Sequence, residues 1–248
     1  MTSEEDSLIK TSLEYAQQDF IRLPGSLRKD SDIEMFHIIS KDGSSAAWGK
    51  AVGIIDTSAK NCMAWAYHSC SNERLAEHNE KDSHVFRFEY AVSNSHSKFV
   101  SAFKTISTGM NNRIFDGWLT WDEVDDYNGH VEFILAIGMG EEGDQSLLPL
   151  LPPYPDESRT TKGRLVGIQI FLVLAPQVTR MTYCVQADMG GSIPQFLLNS
   201  FVGSSLKIVQ HAYDKFERRG RIVNEEMRKE FIKCIPSAPS LSDSQNVS

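Results

Sequence analysis

The side chains that most often carry out chemistry are scattered in this sequence. Cys62 and Cys70 are followed by His78 and His84, but their spacing differs from that of zinc sites. The acidic run WDEVDD, residues 121–126, lacks the alternating ligands and the glycine of a calcium loop. There is no Gly-x-Ser-x-Gly elbow and no phosphate-binding glycine loop. The sequence therefore predicts a protein that is not an enzyme and has no metal and no cofactor.

Arg113 is the charged residue with the most informative surroundings. It opens the strand-like run RIFDGWLTW, in which alternation places Arg113 on one face with Phe115, Leu119 and Trp121. An arginine buried among such residues needs a carboxylate or a ligand phosphate as partner. An arginine at the surface needs only an exposed ion pair. The residue types alone leave both alternatives open.

Hydrophobic periodicity predicts an α+β fold, whose helices and strands determine where these residues lie. It predicts helices at 7–23, 56–70, about 194–219 and 222–234, with Asp56 or Thr57 capping the second. It predicts antiparallel strands at 32–40, 46–55, 84–92, 98–107, 113–124, 130–139, 164–175 and 179–188, with an Asn128-Gly129 hairpin turn. Gly49 and Gly53 suit a strand that another element approaches closely.

The long C-terminal helix has an apolar stripe that suits packing on a sheet: Leu197, Phe201, Ser205, Ile208, Ala212 and Phe216. Strand 164–175 is apolar on both faces, so it is either covered on both sides or lines an internal space. The stripe permits simple core packing or a ligand tunnel between helix and sheet.

The corner between the last strand and this helix carries a family resemblance. Asp188, Gly190, Gly191, Ile193 and Pro194, with Asn199 further on, resemble the signature of START domains, the steroidogenic-acute-regulatory-related lipid transfer family. Glycines allow the chain to reverse, proline suits a first helical turn, and Ser192 is a candidate cap. The resemblance implies a helix-grip fold, in which a curved antiparallel sheet wraps a long C-terminal helix around a lipid-sized tunnel.

The resemblance covers about residues 30–220, and periodicity and composition divide the rest of the chain. We expect an N-terminal helix in 1–29, the START-like domain in 30–220, a helical extension in 221–235 and a disordered tail in 236–248. The loop 140–163 has an apolar centre, which fits either a membrane-touching flap or a loop packed on the domain.

The resemblance also implies a set of ligand contacts. Arg113 matches the arginine that often meets a lipid polar group in START tunnels. The remaining candidates are wall residues and polar contacts, each of which has plain core packing as its alternative: Phe103, Phe115, Tyr183, Phe201, Ser101 and Ser205. A sterol is not favoured as the ligand, because Ile114 replaces the usual aspartate and strand 98–107 has no carboxylate.

The implied function is the binding or transfer of one lipid, and a regulatory or protein-interaction module on the same fold is the alternative. The net charge of −8 disfavours a nucleic-acid partner. The N-terminus has no signal-peptide pattern, and the four cysteines do not resemble a secreted disulfide framework. We therefore expect a cytoplasmic monomer that touches membrane surfaces transiently.

Overall fold

The computed structural model describes residues 10, 13, 21–22, 33–39, 47–79, 84–104, 111–125, 131–138, 160–190, 195–217 and 221–234. Several predictions fall outside these residues. They concern the Asn128-Gly129 turn, most of the loop 140–163, the Ser192 cap and the tail 236–248.

A single ten-stranded sheet forms the body of the described chain. Its strands are β1 Ile21–Arg22, β2 Glu34–Ile39, β3 Ala47–Ile55, β4 His84–Ala91, β5 His96–Phe103, β6 Asn112–Asp125, β7 Val131–Gly138, β8 Thr160–Lys162, β9 Arg164–Ala175 and β10 Val178–Asp188. The order across the sheet is β1-β2-β3-β10-β9-β7-β6-β5-β4. All these neighbours are antiparallel, whereas β8 pairs with β6 in parallel.

The helices are α1 Ala59–Tyr67, α2 Asn72–Asn79, α3 Gln195–Phe216 and α4 Arg221–Cys234. The long helix α3 packs mainly on β3 and β10. The short helix α1 packs on β7, β9 and β10, and α2 lies beside β4. Among the described helices, none has the length and apolarity that crossing a membrane requires.

The eight predicted strands and the two C-terminal helices are confirmed, with ends that shift by a few residues. Four details of the sequence prediction are wrong. Ile21 and Arg22 pair with β2 instead of ending the first helix, because a neighbouring strand edge offers backbone partners. The N-cap of α1 is Ser58, whose side chain accepts a hydrogen bond from the Asn61 backbone N–H.

The other two differences are elements that the patterns did not predict. Helix α2 was missed because its sequence, NERLAEHN, is too polar to show an apolar stripe. Strand β8 lies at the end of the predicted loop 140–163, where Thr160–Lys162 adds to β6. Its three residues are too short for alternation to be visible.

Two glycines in β3 allow α3 to lie close to the sheet, as the sequence predicts. A Cβ atom on Gly49 would overlap Val202 Cγ1, and one on Gly53 would stand 2.8 Å from Val209 Cγ1. We call the side of the sheet that faces α3 the inner face. Because side chains alternate between the two faces of a strand, the cross-strand register identifies the residues of each strand that point to the inner face.

The outer face is also apolar and covered. Trp48, Ile134, Ile168 and Cys184 form a buried cluster there, and Leu13 packs against it. This covering explains why the β9 sequence is apolar on both faces.

The described part of the corner after β10 is Asp188–Gly190. Gly190 has φ +67°, in the left-handed region that glycine adopts without steric cost. Its N–H donates to the Asp188 side chain, at Oδ1, over 2.9 Å. A Cβ atom on Gly190 would overlap the Lys162 carbonyl oxygen. Gly190 therefore packs against the end of β8, which accounts for the aspartate and the glycine at these two positions, whereas Gly191, Ile193 and Pro194 lie outside the described residues.

Candidate functional site

The strand register places the predicted strand contacts on the inner face. On β5 and β6, Phe103 lies opposite Arg113 and Ser101 lies opposite Phe115. Tyr183 on β10 pairs with Ala51 on β3, which lies on the same face of the strand as Gly49 and Gly53. Tyr183 is therefore on the inner face as well. The sheet thus brings together residues that are separated by up to 82 positions between Ser101 and Tyr183.

Three of the predicted wall residues form one aromatic cluster, composed of Phe103, Phe115 and Phe201. The rings of Phe103 and Phe115 meet edge to face at 5.6 Å between centroids, and Phe115 stacks on Phe201 at 5.6 Å. Phe103 and Phe201 meet edge to face at 6.1 Å. The cluster joins β5 and β6 to α3 and fills the inner face at that point. These contacts fit either a tunnel wall or a closed core.

Arg113 is buried beside this cluster, with 6% of its surface exposed. The alternative of a surface position for this arginine is therefore wrong. Its guanidinium donates from Nη1 to the Asn111 carbonyl oxygen, while its Nε has no hydrogen-bond partner among the described residues. Burial lowers the pKa of Arg113 from its ordinary value. A buried arginine with an unused donor can hold an acceptor on a ligand.

The remaining predicted contacts differ in their surroundings. Ser101 is fully buried. Ser205 is half-buried, and its hydroxyl donates to the Phe201 carbonyl oxygen at 3.1 Å. Tyr183 is buried, and desolvation raises the pKa of its phenol. Ser205, which lies on α3, is therefore the one of these three residues whose side chain is only half-buried.

Gln169 on β9 is a polar inner-face residue that sequence patterns did not single out. It lies directly opposite Tyr183 and is 2% exposed. Its Oε1 finds no hydrogen-bond partner in the part of the chain that the structure describes. A glutamine within the apolar run RLVGIQIFLVLA was the available signal, since buried strands rarely keep an unsatisfied amide.

A second polar group, which we call the donor centre, lies where α1 and α2 meet β4 and β5. It consists of Trp65, Tyr67, Arg74, Arg87 and Ser97. The guanidinium carbon of Arg74 stands 3.9 Å from the centre of the Trp65 ring. Arg87 Nη1 donates to the Ser69 carbonyl oxygen at 3.1 Å. Tyr67 lies beside Ser97, and Arg74 is close enough to Arg87 to affect its charge.

Trp65 Nε1 is a buried hydrogen-bond donor of the donor centre that has no partner within the described residues. The Tyr67 and Ser97 hydroxyls lie close enough for a hydrogen bond to each other. Burial, and to a smaller extent the nearby positive charge of Arg74, lower the pKa of Arg87 to about 10. Arg87 nevertheless remains protonated near neutral pH.

Glu89 is the described carboxylate whose charge acts on this centre, where it affects Arg87, Cys70 and Tyr67. Burial raises the pKa of the Cys70 thiol to about 11, so Cys70 stays neutral near pH 7. Arg74, Arg87 and Glu89 thus place charges of both signs in the donor centre. Sequence analysis did not find it because Arg74 lies on the helix that the pattern missed.

Comparison with known proteins adds to this geometry. No protein-family model matches the sequence, and no curated protein matches it. Among solved structures, human StAR-related lipid transfer protein 5 has a TM-score of 0.63 at 14% identity, over 87% of this chain and 97% of that chain. Human STARD10 has a TM-score of 0.59 at 10% identity, covering 98% and 93%.

The chain has the START fold. A third structure, the human StarD13 (DLC2) lipid transfer and protein localization domain, agrees at a TM-score of 0.54 and 12% identity, covering 88% and 98%. The curved antiparallel sheet and the C-terminal helix of the helix-grip architecture are therefore established for this chain. The START resemblance in the corner sequence correctly indicated this fold.

Proposed function

We propose that this START-fold chain is a non-enzymatic domain that binds one lipid between α3 and the inner face. The observation that carries the proposal is the presence of two buried polar atoms without a partner in the described part of a largely apolar inner face. They are Arg113 Nε and Gln169 Oε1. A buried unsatisfied group costs about 1–3 kcal/mol, which a ligand's polar group can offset.

The apolar inner-face residues would favour the rest of such a ligand. Burial of an acyl chain contributes about 0.8 kcal/mol for each CH₂ group removed from water. Three further buried residues are on the inner face by the strand register: Phe99 on β5, Leu119 on β6 and Leu135 on β7. Phe103, Phe115 and Phe201 would form one wall of the lipid site, with Tyr183, Ser101 and Ser205 as further contacts.

The principal alternative is a regulatory or protein-interaction module with no exchangeable lipid. Two observations favour it as a second candidate. The aromatic cluster fills part of the inner face. One of the similar structures is described as a domain for both lipid transfer and protein localization. In this alternative, the exposed surface would carry the function.

We further propose that the chain acts in the cytoplasm as a monomer, with no nucleic-acid partner and transient contact with a membrane surface. The net charge of −8 supports the exclusion of nucleic acid. The START neighbours are described as lipid transfer proteins, which supports exchange of a lipid with a membrane.

Mass spectrometry of co-purified lipid would test this function. The purified chain is incubated with a mixed cellular lipid extract, and the lipid retained per protein is measured. We expect one dominant lipid class at about one molecule per chain. Ser205→Trp places an indole in the space beneath α3 and should abolish retention, while Arg113→Leu should change the lipid class or weaken its binding.

Ser204→Trp is the matched control, because Ser204 is exposed and lies about 100° around the helix from Ser205. It should leave lipid retention unchanged. A well-folded wild-type protein that retains no lipid would refute lipid binding and favour the interaction module. Equal lipid retention in the Ser205→Trp and Ser204→Trp variants would show that the lipid does not bind beside α3.

A further inference from the structure

We infer that the aromatic cluster limits the length of the acyl chain that the proposed lipid site accepts. The inference rests on the proposed function and adds a specificity to it. Phe103, Phe115 and Phe201 close the inner face at the end that lies nearest the corner after β10, so a chain that runs along the inner face toward them has to end there.

The first support is that the cluster fills the distance between the sheet and α3. Phe115 on β6 and Phe201 on α3 stack with 5.6 Å between ring centroids and 16° between ring planes. Phe103 on β5 meets both rings edge to face. Phe115 is fully buried, and Phe201 is 7% exposed. Because the three rings are in mutual contact, a methylene chain has no path between them.

The second support is the backbone behind Phe115. Gly163 immediately precedes β9, and a Cβ atom on Gly163 would overlap Phe115 Cε1. The Gly163 N–H donates to the Ile114 carbonyl oxygen at 2.9 Å, which holds this backbone against β6. The Phe115 ring therefore lies between the Gly163 backbone and Phe201, and it has no room to turn away from a ligand.

The third support is the order of residues along the inner face. Gln169 on β9 and Trp121 on β6 lie in one cross-strand row, which is joined through β7. Along β6, the inner-face positions that follow Trp121 toward the cluster are Leu119, Gly117 and Phe115. A ligand with its polar group at Gln169 would lay its chain over this apolar stretch of about 20 Å and end it at Phe115.

The opposite direction is the alternative. A ligand with its polar group at Arg113 would begin at the cluster, and its chain would end near Phe133 and Phe171, two buried residues that pair across β7 and β9. The Arg113 side chain favours the first direction, because its Nη1 donates back to the Asn111 carbonyl oxygen, toward the start of β6 and away from the inner-face positions that follow.

Phe201→Ala tests the inference, because it removes the helix side of the cluster. The purified protein is incubated with a synthetic mixture of phosphatidylcholine, phosphatidic acid, diacylglycerol, ceramide and free fatty acid, each with lauroyl, myristoyl, palmitoyl, stearoyl and arachidoyl chains in equal amounts. Mass spectrometry of the retained lipid then gives the distribution of chain lengths for any head group.

We expect the wild-type distribution to fall steeply above one chain length, and Phe201→Ala to move that limit to a longer chain. Each methylene group that enters an apolar site contributes about fourfold in affinity. Relative to the longest chain that the wild type accepts, retention of the next chain in the series, which is longer by two methylene groups, should rise about 15-fold in the variant.

Two further variants complete the test. Phe201→Leu removes the ring but keeps an apolar side chain, so it serves if Phe201→Ala does not fold, and it should move the limit in the same direction. Phe133→Ala is the matched control, because Phe133 is a phenylalanine of similar burial, 3% exposed, at the other end of the inner face. It should leave the limit unchanged.

The outcomes separate this inference from lipid binding itself. A longer limit in the Phe201 variants with an unchanged limit in Phe133→Ala would confirm the inference. An unchanged limit in a folded Phe201→Ala protein that still retains lipid would overturn it and leave lipid binding intact. A longer limit in Phe133→Ala would also overturn it, because the chain would then run the other way or the whole core would have loosened. A folded wild-type protein without retained lipid would refute the proposed function and this inference together.

Discussion

At the scale of single residues, burial controls the chemistry of the thiols. Cys62 and Cys184 are fully buried, and desolvation raises the pKa of each to about 12. Cys70 is partly buried and its pKa is raised to about 11. Because the thiolate is the reactive form, these three cysteines should be poor nucleophiles at neutral pH.

The raised pKa of Cys62 predicts a loss of stability in alkali. In the unfolded chain this thiol ionises near pH 9, whereas in the folded chain it keeps its proton until about pH 12. The stabilisation is complete below pH 9, and between these values the free energy of unfolding should fall by about 1.4 kcal/mol per pH unit for this group. Urea unfolding of wild-type and Cys62→Ala proteins from pH 7 to 11 measures the difference.

We expect the alkaline decline of Cys62→Ala to be shallower than that of the wild type. Cys70→Ala is a useful comparison, because its window is narrower, from pH 9 to about 11. Parallel pH profiles for wild type and Cys62→Ala would show that Cys62 ionises as readily in the folded protein as in the unfolded one.

At the scale of elements, the fold depends on how closely α3 approaches β3. Val202, Leu206 and Val209 project from α3 onto the positions where β3 has glycine instead of a side chain. This contact fixes the angle of the helix over the sheet. The Asp188–Gly190 corner fixes the other end of the same arrangement, since it turns against the end of β8.

Gly49→Ala should therefore be destabilising even though alanine generally favours regular structure over glycine. Its methyl group would overlap Val202 and approach Leu206 Cδ1 to 3.0 Å, and overpacking of this kind costs about 1–3 kcal/mol. Chemical denaturation measures the change in the free energy of unfolding.

Gly203→Ala is the matched control for this substitution. Gly203 lies within α3 and has no atom within 4 Å of an added Cβ. It should raise the free energy of unfolding by about 0.5–1 kcal/mol, because alanine is the better helix former. If Gly49→Ala were equally stabilising, the close approach of α3 to β3 would be wrong.

At the scale of the whole molecule, the sheet joins segments that are distant in the chain. β3 pairs with β10, and β7 pairs with β9 across the long segment before β8. Such pairings require large loops to close before they are stabilised, so folding should be slow compared with that of a helical bundle of this size. A buried side-chain hydrogen bond links β10 to the residues that follow β3 and so stabilises one of these long-range contacts.

Thr179→Val should weaken that connection. The Thr179 hydroxyl donates to the Thr57 carbonyl oxygen at 2.7 Å, and both residues are almost completely buried. Valine keeps the shape but leaves the carbonyl unsatisfied, so the free energy of unfolding should fall by about 1–3 kcal/mol. Thr182→Val, at a half-buried position in the same strand, should stay within about 0.5 kcal/mol of wild type in the same denaturant titration.

The sequence by itself determined the class of fold. The strands, the long amphipathic helix and the turn at Gly190 were predictable, because alternation, helical periodicity and glycine positions are local properties. The role of Gly49 and Gly53 was also foreseeable, since glycine within a strand indicates close approach. The lipid function and its contact residues are still predictions.

Only the tertiary structure decided which polar side chains meet and which of them lack partners. Trp65, Arg87 and Ser97 belong to three different elements, and no local pattern relates them. Burial of Arg113 was equally open, because an arginine at a strand end can face solvent or the core. Hydrogen-bond satisfaction depends on long-range packing, so a sequence can show the donors but cannot show which acceptors they meet.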